Sequence, residues 1–402
     1  FAMAVGEYPF PEMHPVAGVK LTAVSAGIKK PGRRDVVLFE LAEGSQVAGV
    51  FTLNAFCAAP VTVCKKHLAA APIRYLVINS GNANACTGEQ GINDALATCE
   101  AIAQLRGLKK EQVLPFSTGV IGEPLPVHKI VAVVPEALEK VTEQGWDDAA
   151  AGIMTTDTRP KGFSKQIVWQ GQTITVNGIA KGAGMIKPNM ATMLGYIATN
   201  AKVAQPVLQT LLREAADKSF NRITIDGDTS TNDSCILIAS GQVDLPEIQT
   251  TDGELYQQLR DVIIEAHIFL AKSIVADGEG ATKFVAVEVS GGGDRSECLD
   301  VGYAVAHSPL IKTALFASDP NWGRIVAAIG YAGVKDLDAT KVHVHLNDVL
   351  IVENGGRAAS YTEEQGQAVM SGTEIAIRIN LGRGDYHETL WTTDLSYEYV
   401  RI

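Results

Sequence analysis

The residues with the most chemical reach lie near the middle of the 402-residue chain, in "KGAGMIKPNMATML" from Lys181 to Leu194. A threonine hydroxyl is a weak nucleophile at neutral pH unless a base adjoins it. A threonine at a chain start carries its own base, because a free α-amine has a pKa of about 7.7–8.0. The hydroxyl of Thr192 can also create that start. It attacks the carbonyl of Ala191, the acyl group moves from nitrogen to oxygen, and water cleaves the resulting ester. Ala191 is small and obstructs little, while Gly182, Gly184 and Pro188 suit a bent backbone. Taken alone, the stretch also reads as an irregular turn with a structural threonine, and local pattern favours that plainer reading.

Two further segments carry groups of interest. In "PFSTGVIGEPLP" (115–126), Ser117, Thr118 and Gly119 follow an apolar approach. Backbone N–H groups and a threonine hydroxyl in such a turn can meet a developing oxyanion; a glycine turn with side-chain bonds to its own backbone is the alternative. In "ITIDGDTSTNDS" (223–234), Asp226, Asp228 and Asp233 can hold a cation or order hydroxyls, and Asx turns explain the composition equally well.

Other signals are weaker. "DGEGATKF" looks faintly like a phosphate loop but does not carry the GxxxxGK(S/T) pattern. His343 and His345 share a strand face but have no third ligand nearby in sequence, so a solvent-facing strand is expected. "GRGD" at 382–385 stands between two alternating strands and reads as a hairpin turn.

The elements that must position these groups are mixed. Amphipathic periodicity predicts helices in "NDALATCEAIAQLRGL", closing at Gly107, in "AQPVLQTLLREAADKSF", with Pro206 in its first turn, and from Glu254 to Ala276. Alternation predicts strands in "RYLVINS", "QTITVNG", "KFVAVEVS", "KVHVHL", "VLIVE" and "EIAIRINL". The order is not a regular βαβ alternation, so a layered α/β or α+β fold is expected over a doubly wound one, with a boundary near 190–200. A formal charge of −11 argues against nucleic acid and anionic membrane as partners. No apolar run reaches membrane-spanning length. The six cysteines are scattered without CxxC spacing, and "FAMAVGEYPF" lacks the character of a signal peptide, so a cytoplasmic protein with reduced thiols is expected.

Several segments together resemble one family, the ornithine acetyltransferases of arginine biosynthesis, also called bifunctional glutamate N-acetyltransferases. The matching pieces are "NSGNANACTG", "PFSTGVIGEPLP", "IMTTDTRPK", "GIAKGAGMIKPNMATML", "TIDGDTSTNDS", "ADGEGATKF", "FASDPNWGRI", "ENGGRAASY" and "DLSYEYVRI", in family order over nearly the whole chain. The resemblance implies the family's self-processing, N-terminal-nucleophile-like layered fold. It implies a cut between Ala191 and Thr192, giving an α chain (1–191) with the oxyanion segment and a β chain (192–402) starting at the nucleophile, assembled as α2β2. Thr192 would take an acetyl group from N2-acetylornithine and pass it to glutamate by a ping-pong route, with acetyl-CoA as a further donor in some members. No metal or bound organic cofactor is implied.

Carried over position by position, Thr118 and Gly119 would stabilise the oxyanion, and Thr155, Lys181, Thr192 and Glu279 would bind substrate. An ammonium at Lys181 suits an amino-acid α-carboxylate. The resemblance also implies a short tail beyond "EYVRI" with an asparagine and a terminal hydroxyl, for which this sequence has no counterpart. The alternative reading is a self-processing amidohydrolase or aminopeptidase that uses water as acceptor.

Overall fold

A computed structural model describes residues 5–183, 193–226, 230 and 232–401. Ala191, Thr192 and Asp228 therefore lie outside the described residues. Two compact units emerge: Tyr8–Asn221 with Thr229–Ile274, and Phe1–Glu7 with Arg222–Asp228 and Val275–Ile402.

The larger unit contains strands β1 (Val19–Val24), β2 (Val36–Leu41), β3 (Gln46–Phe51), β4 (Tyr75–Asn82), β5 (Val113–Val120), β6 (Lys161–Trp169), β7 (Gln172–Lys181), β8 (Leu194–Thr199) and β9 (Ser234–Ala239). Its helices are α1 (Ala59–Ala70), α2 (Gly88–Arg106), α3 (Val127–Lys140), α4 (Trp146–Gly152), α5 (Gln205–Asp217) and most of α6 (Glu254–Ala276). The strands form two sheets, ordered β1-β2-β4-β5 and β3-β9-β8-β7-β6.

Period-two alternation explains how these sheets stack. In β2, Val37, Phe39 and Leu41 enter a core shared with Ile179 of β7, Tyr196 of β8 and Ile236 and Ile238 of β9. The intervening Val36 and Leu38 join a second core with Ala95, Cys99 and Ile102 of α2 and Ile130 and Val134 of α3. The first sheet thus has one face on the second sheet and the other on helices. The second sheet is covered in turn: α5 lies against β3 and β9, and Leu270 of α6 packs so closely on Gly178 of β7 that a Cβ there would lie 2.8 Å from it.

The smaller unit has one sheet, ordered β13-β12-β11-β14-β10-β15, from β10 (Phe284–Gly292), β11 (His343–Leu346), β12 (Val349–Glu353), β13 (Gly356–Arg357), β14 (Glu374–Asn380) and β15 (Tyr386–Thr393). Helices α7 (Arg295–His307), α8 (Pro309–Phe316), α9 (Trp322–Tyr331) and α10 (Glu363–Met370) accompany it, and α11 (Tyr397–Arg401) follows β15. Val285, Val287 and Val289 of β10 meet Val301 and Val305 of α7 in its core.

The fold is layered α/β with parallel and antiparallel pairs, as expected. Helix α2 ends at Gly107 in a left-handed cap (φ +65°), α5 starts around Pro206, and α6 runs from Glu254 to Ala276. All six cysteines are unbridged thiols, four of them buried. His343 and His345 both lie on the partly exposed face of β11. No helix among the described residues is long and apolar enough to cross a membrane.

Two expectations need correction. The "GRGD" segment is not a hairpin turn, because β10 is inserted between β14 and β15, parallel to the first and antiparallel to the second. The loop instead passes over the end of β10, with Arg383 and Gly384 N–H both donating to Gly291 O. Nor does a compact-unit boundary fall at 190–200. Strands β7 and β8 flank that segment as antiparallel neighbours, with Lys181 opposite Leu194.

Candidate active site

The Ser117–Gly119 segment, expected as a turn, is instead the C-terminal part of strand β5, parallel to β4, with Gly81 opposite Gly119. Gly119 has φ +136°, and a Cβ there would fall 2.4 Å from the Gly81 carbonyl carbon and 2.5 Å from Asn82 N. Backbone meets backbone at this point, so no side chain fits without parting the strands.

A buried amide network holds the pair. Ser117 Oγ donates to Asn79 Oδ1 (2.5 Å), and Asn79 Nδ2 donates to Asn82 O (2.9 Å). Asn232 Nδ2 donates to Ser117 O (2.7 Å) and Ala83 O (2.6 Å). Each bond satisfies a group that burial would otherwise penalise, and together they fix where Thr118 points.

Lys181 ends β7 in the opposing sheet and is 1% exposed, as is Thr118. Its Nζ donates to Thr118 Oγ1 at 3.0 Å and to Thr155 Oγ1 at 2.8 Å. Both threonine oxygens thereby act as acceptors, which leaves each hydroxyl proton to point onward as a donor.

Asp157 braces the lysine's surroundings. Its Oδ1 accepts the Thr155 N–H (3.2 Å), and its Oδ2 accepts Lys161 Nζ (2.5 Å) and the Gly182 N–H (2.9 Å). Burial pushes the Asp157 pKa upward, but Lys161, Lys181 and these hydrogen bonds outweigh it and hold the value at about 2. The carboxylate is therefore ionised throughout the physiological range.

Asp233, just before β9, behaves oppositely. Burial raises its pKa to about 6 against the lowering effects of Ser230, the Met193 N–H and the Lys181 charge. The residue as a whole is partly exposed, but its Oδ1 is shielded from solvent and has no hydrogen-bond partner. Desolvation acts where the charge resides, at the shielded oxygen. The folded chain thus binds this proton more tightly than an ordinary aspartate with pKa 3.8. Asp233 therefore costs folding nothing below about pH 4, and its cost is complete above about pH 6, reaching at most about 3 kcal/mol. Asp233→Asn is expected to melt at higher temperature than the parent protein at about pH 8, with the gain gone by about pH 4. Equal gains at both pH values would refute this origin.

A family model described as the ArgJ family matches residues 20–402. The chain belongs to the ArgJ family. Two relatives, each named "Arginine biosynthesis bifunctional protein ArgJ", come from Pseudomonas syringae pv. tomato and Pseudomonas fluorescens (strain Pf0-1). Each is 64% identical over 400 residues, spanning 100% of this chain and 98% of the relative. Among solved structures, the ArgJ of Bacillus halodurans is 34% identical, covers 51% of this chain and 96% of its own, and has a TM-score of 0.49. Ornithine acetyltransferase of Mycobacterium tuberculosis, solved with ornithine, is 35% identical, covers 44% of this chain and 94% of its own, and has a TM-score of 0.38.

In this ArgJ-family chain, Thr118, Gly119, Thr155 and Lys181 lie in the larger unit, and Lys181 bonds both threonines directly. Glu279 belongs to the smaller unit, half-buried in the turn after α6. Of the three aspartates singled out together, Asp226 belongs to the smaller unit and Asp233 to the larger. Sequence reasoning gave no role to Asp157, Lys161 or Asn232. The first two were visible as an acid and a base four residues apart inside "TTDTRPK", and Asn232 as an amide inside "STNDS".

Proposed function

We propose that the protein transfers the acetyl group of N2-acetylornithine to glutamate through an acetyl ester on Thr192, after cutting itself between Ala191 and Thr192. Membership of the ArgJ family makes it an acyltransferase of arginine biosynthesis, and relatives carrying that name are 64% identical over the full chain. The observation that supports the finer reading is the Lys181 ammonium bonded at once to Thr118 and Thr155.

In the first half-reaction the Thr192 hydroxyl adds to the acetyl carbonyl and its proton passes to the free α-amine of the same residue. The oxyanion that forms is met by the Gly119 N–H and the Thr118 hydroxyl, whose oxygen is already engaged by Lys181. Collapse breaks the amide C–N bond, and the amine returns the proton to departing ornithine. In the second half-reaction the glutamate amine adds to the ester carbonyl, loses a proton to the same base, and expels the threonine oxygen, which takes that proton back. Neither half-reaction calls on a bound cofactor. The α-carboxylate of each substrate would lie toward Lys181, and the cut chains would remain together as α2β2.

The test is acceptor dependence. Purified protein given N2-acetylornithine and glutamate is expected to yield ornithine and N-acetylglutamate in equal amounts, with acetate negligible. Release of acetate that glutamate does not divert would mark a hydrolase instead. Replacing the donor with acetyl-CoA in the same assay reads the second activity.

A further inference from the structure

The larger unit buries two lysines beside one carboxylate, and the way the carboxylate is shared is unequal. Lys161 Nζ lies 2.5 Å from Asp157 Oδ2, whereas Lys181 Nζ lies 3.9 Å from Oδ1, beyond hydrogen-bonding distance. The side chains of Asp157 and Lys161 are fully buried. Both lysines reach the carboxylate from adjacent strands, since Lys161 opens β6 opposite Ala180, the residue before Lys181 on β7.

We propose that Lys161 is a charge-balancing positioning residue: it holds the Asp157 carboxylate so that the Lys181 ammonium keeps its charge for the carboxylate of a substrate. The inference rests on the reading of Lys181 as the substrate anchor given above. Charges attract steeply at short range where water is excluded. Without Lys161, Asp157 would draw Lys181 off Thr118 and Thr155 and cancel its charge. With Lys161 in place, Asp157 uses its remaining capacity on the Thr155 and Gly182 N–H groups, which flank the anchor. Asp233 is a second carboxyl that feels the Lys181 charge.

Charge balance makes a prediction that a purely structural ion pair does not. Lys161→Met removes one positive charge, and Asp157→Asn/Lys161→Met restores the original total while deleting the pair. Binding is read by calorimetry on the full-length protein with N2-acetylornithine and with N-acetylputrescine, which lacks only the α-carboxylate. Lys161→Met should weaken N2-acetylornithine by about tenfold or more, the scale of a lost charge-assisted contact, and leave N-acetylputrescine unchanged. In turnover kcat and KM should both deteriorate, because Lys181 would leave Thr118 as well as the substrate carboxylate. The double variant should recover most of the affinity.

Equal losses for both ligands, a double variant weaker than the single one, or a parent protein with no preference for the carboxylate would each overturn the proposal. If Lys161→Met does not fold, the double variant decides: affinity near the parent supports charge balance, and loss overturns it. Absence of acetyl transfer by the parent protein would instead defeat the proposed reaction, and the binding contrast would still be readable.

Discussion

Thr192→Ala is expected to leave a single 42.7 kDa chain and to reduce acetyl transfer by about 10⁴-fold or more, the scale seen when a covalent nucleophile is removed. Both losses have one cause under the proposed chemistry. The hydroxyl that would attack the Ala191 carbonyl is the one that would later attack the acetyl carbonyl. Alanine supplies neither that oxygen nor, without the cut, a free amine to act as base. Thr192→Ser keeps the hydroxyl and should retain both activities in reduced measure. Denaturing electrophoresis with intact mass reads the first effect, and N-acetylglutamate formation the second. Continued cleavage between 191 and 192 in the alanine variant would sink the assignment.

Lys181→Met should be nearly as damaging, although it removes no reacting atom. The ammonium holds the oxygens of Thr118 and Thr155 together at 3.0 and 2.8 Å. Without it the Thr118 hydroxyl can turn, and the oxyanion loses a donor fixed in advance, a defect worth about 10²–10³ in rate. The substrate carboxylate would lose its partner as well, so kcat and KM should both deteriorate. The fold should survive, because the Asp157–Lys161 pair stays closed and methionine fills a similar volume. A variant with kcat and KM within about threefold of the parent would remove Lys181 from the site.

How much of this was legible in the sequence depends on whether a feature is local. Helix α6 and the Gly107 cap follow from period and turn chemistry within a few residues, so they were read correctly. The "GRGD" loop departs from the expected hairpin because alternation says that a segment is a strand but not which strand lies beside it. The neighbour that separates β14 from β15 is β10, about ninety residues earlier in the chain. The boundary expected at 190–200 is absent for a related reason, since β7 before it and β8 after it are neighbours in one sheet.

The site was legible in part. Thr118, Gly119, Thr155 and Lys181 stood out through motifs, but their contact depends on β5 and β7 facing each other from different sheets. Asp157 and Lys161 acquire meaning only when β6 pairs with β7 and brings a second ammonium to the same carboxylate.

The strand order of the five-stranded sheet bears on what a cut at 191 would do. Reading across β3-β9-β8-β7-β6, the central β8 and β9 come after the cut, while β3 on one side and β7 and β6 on the other come before it. The two pieces would be interleaved like the fingers of clasped hands. For them to part, the β3–β9 and β7–β8 ladders must both open, each with six registered pairs. Severing the backbone would therefore leave the folded assembly held on two fronts. It would change the return journey, because strands once delivered to each other by one continuous chain would have to meet by diffusion. The intact precursor, on this view, serves as its own assembly template, used once and then erased.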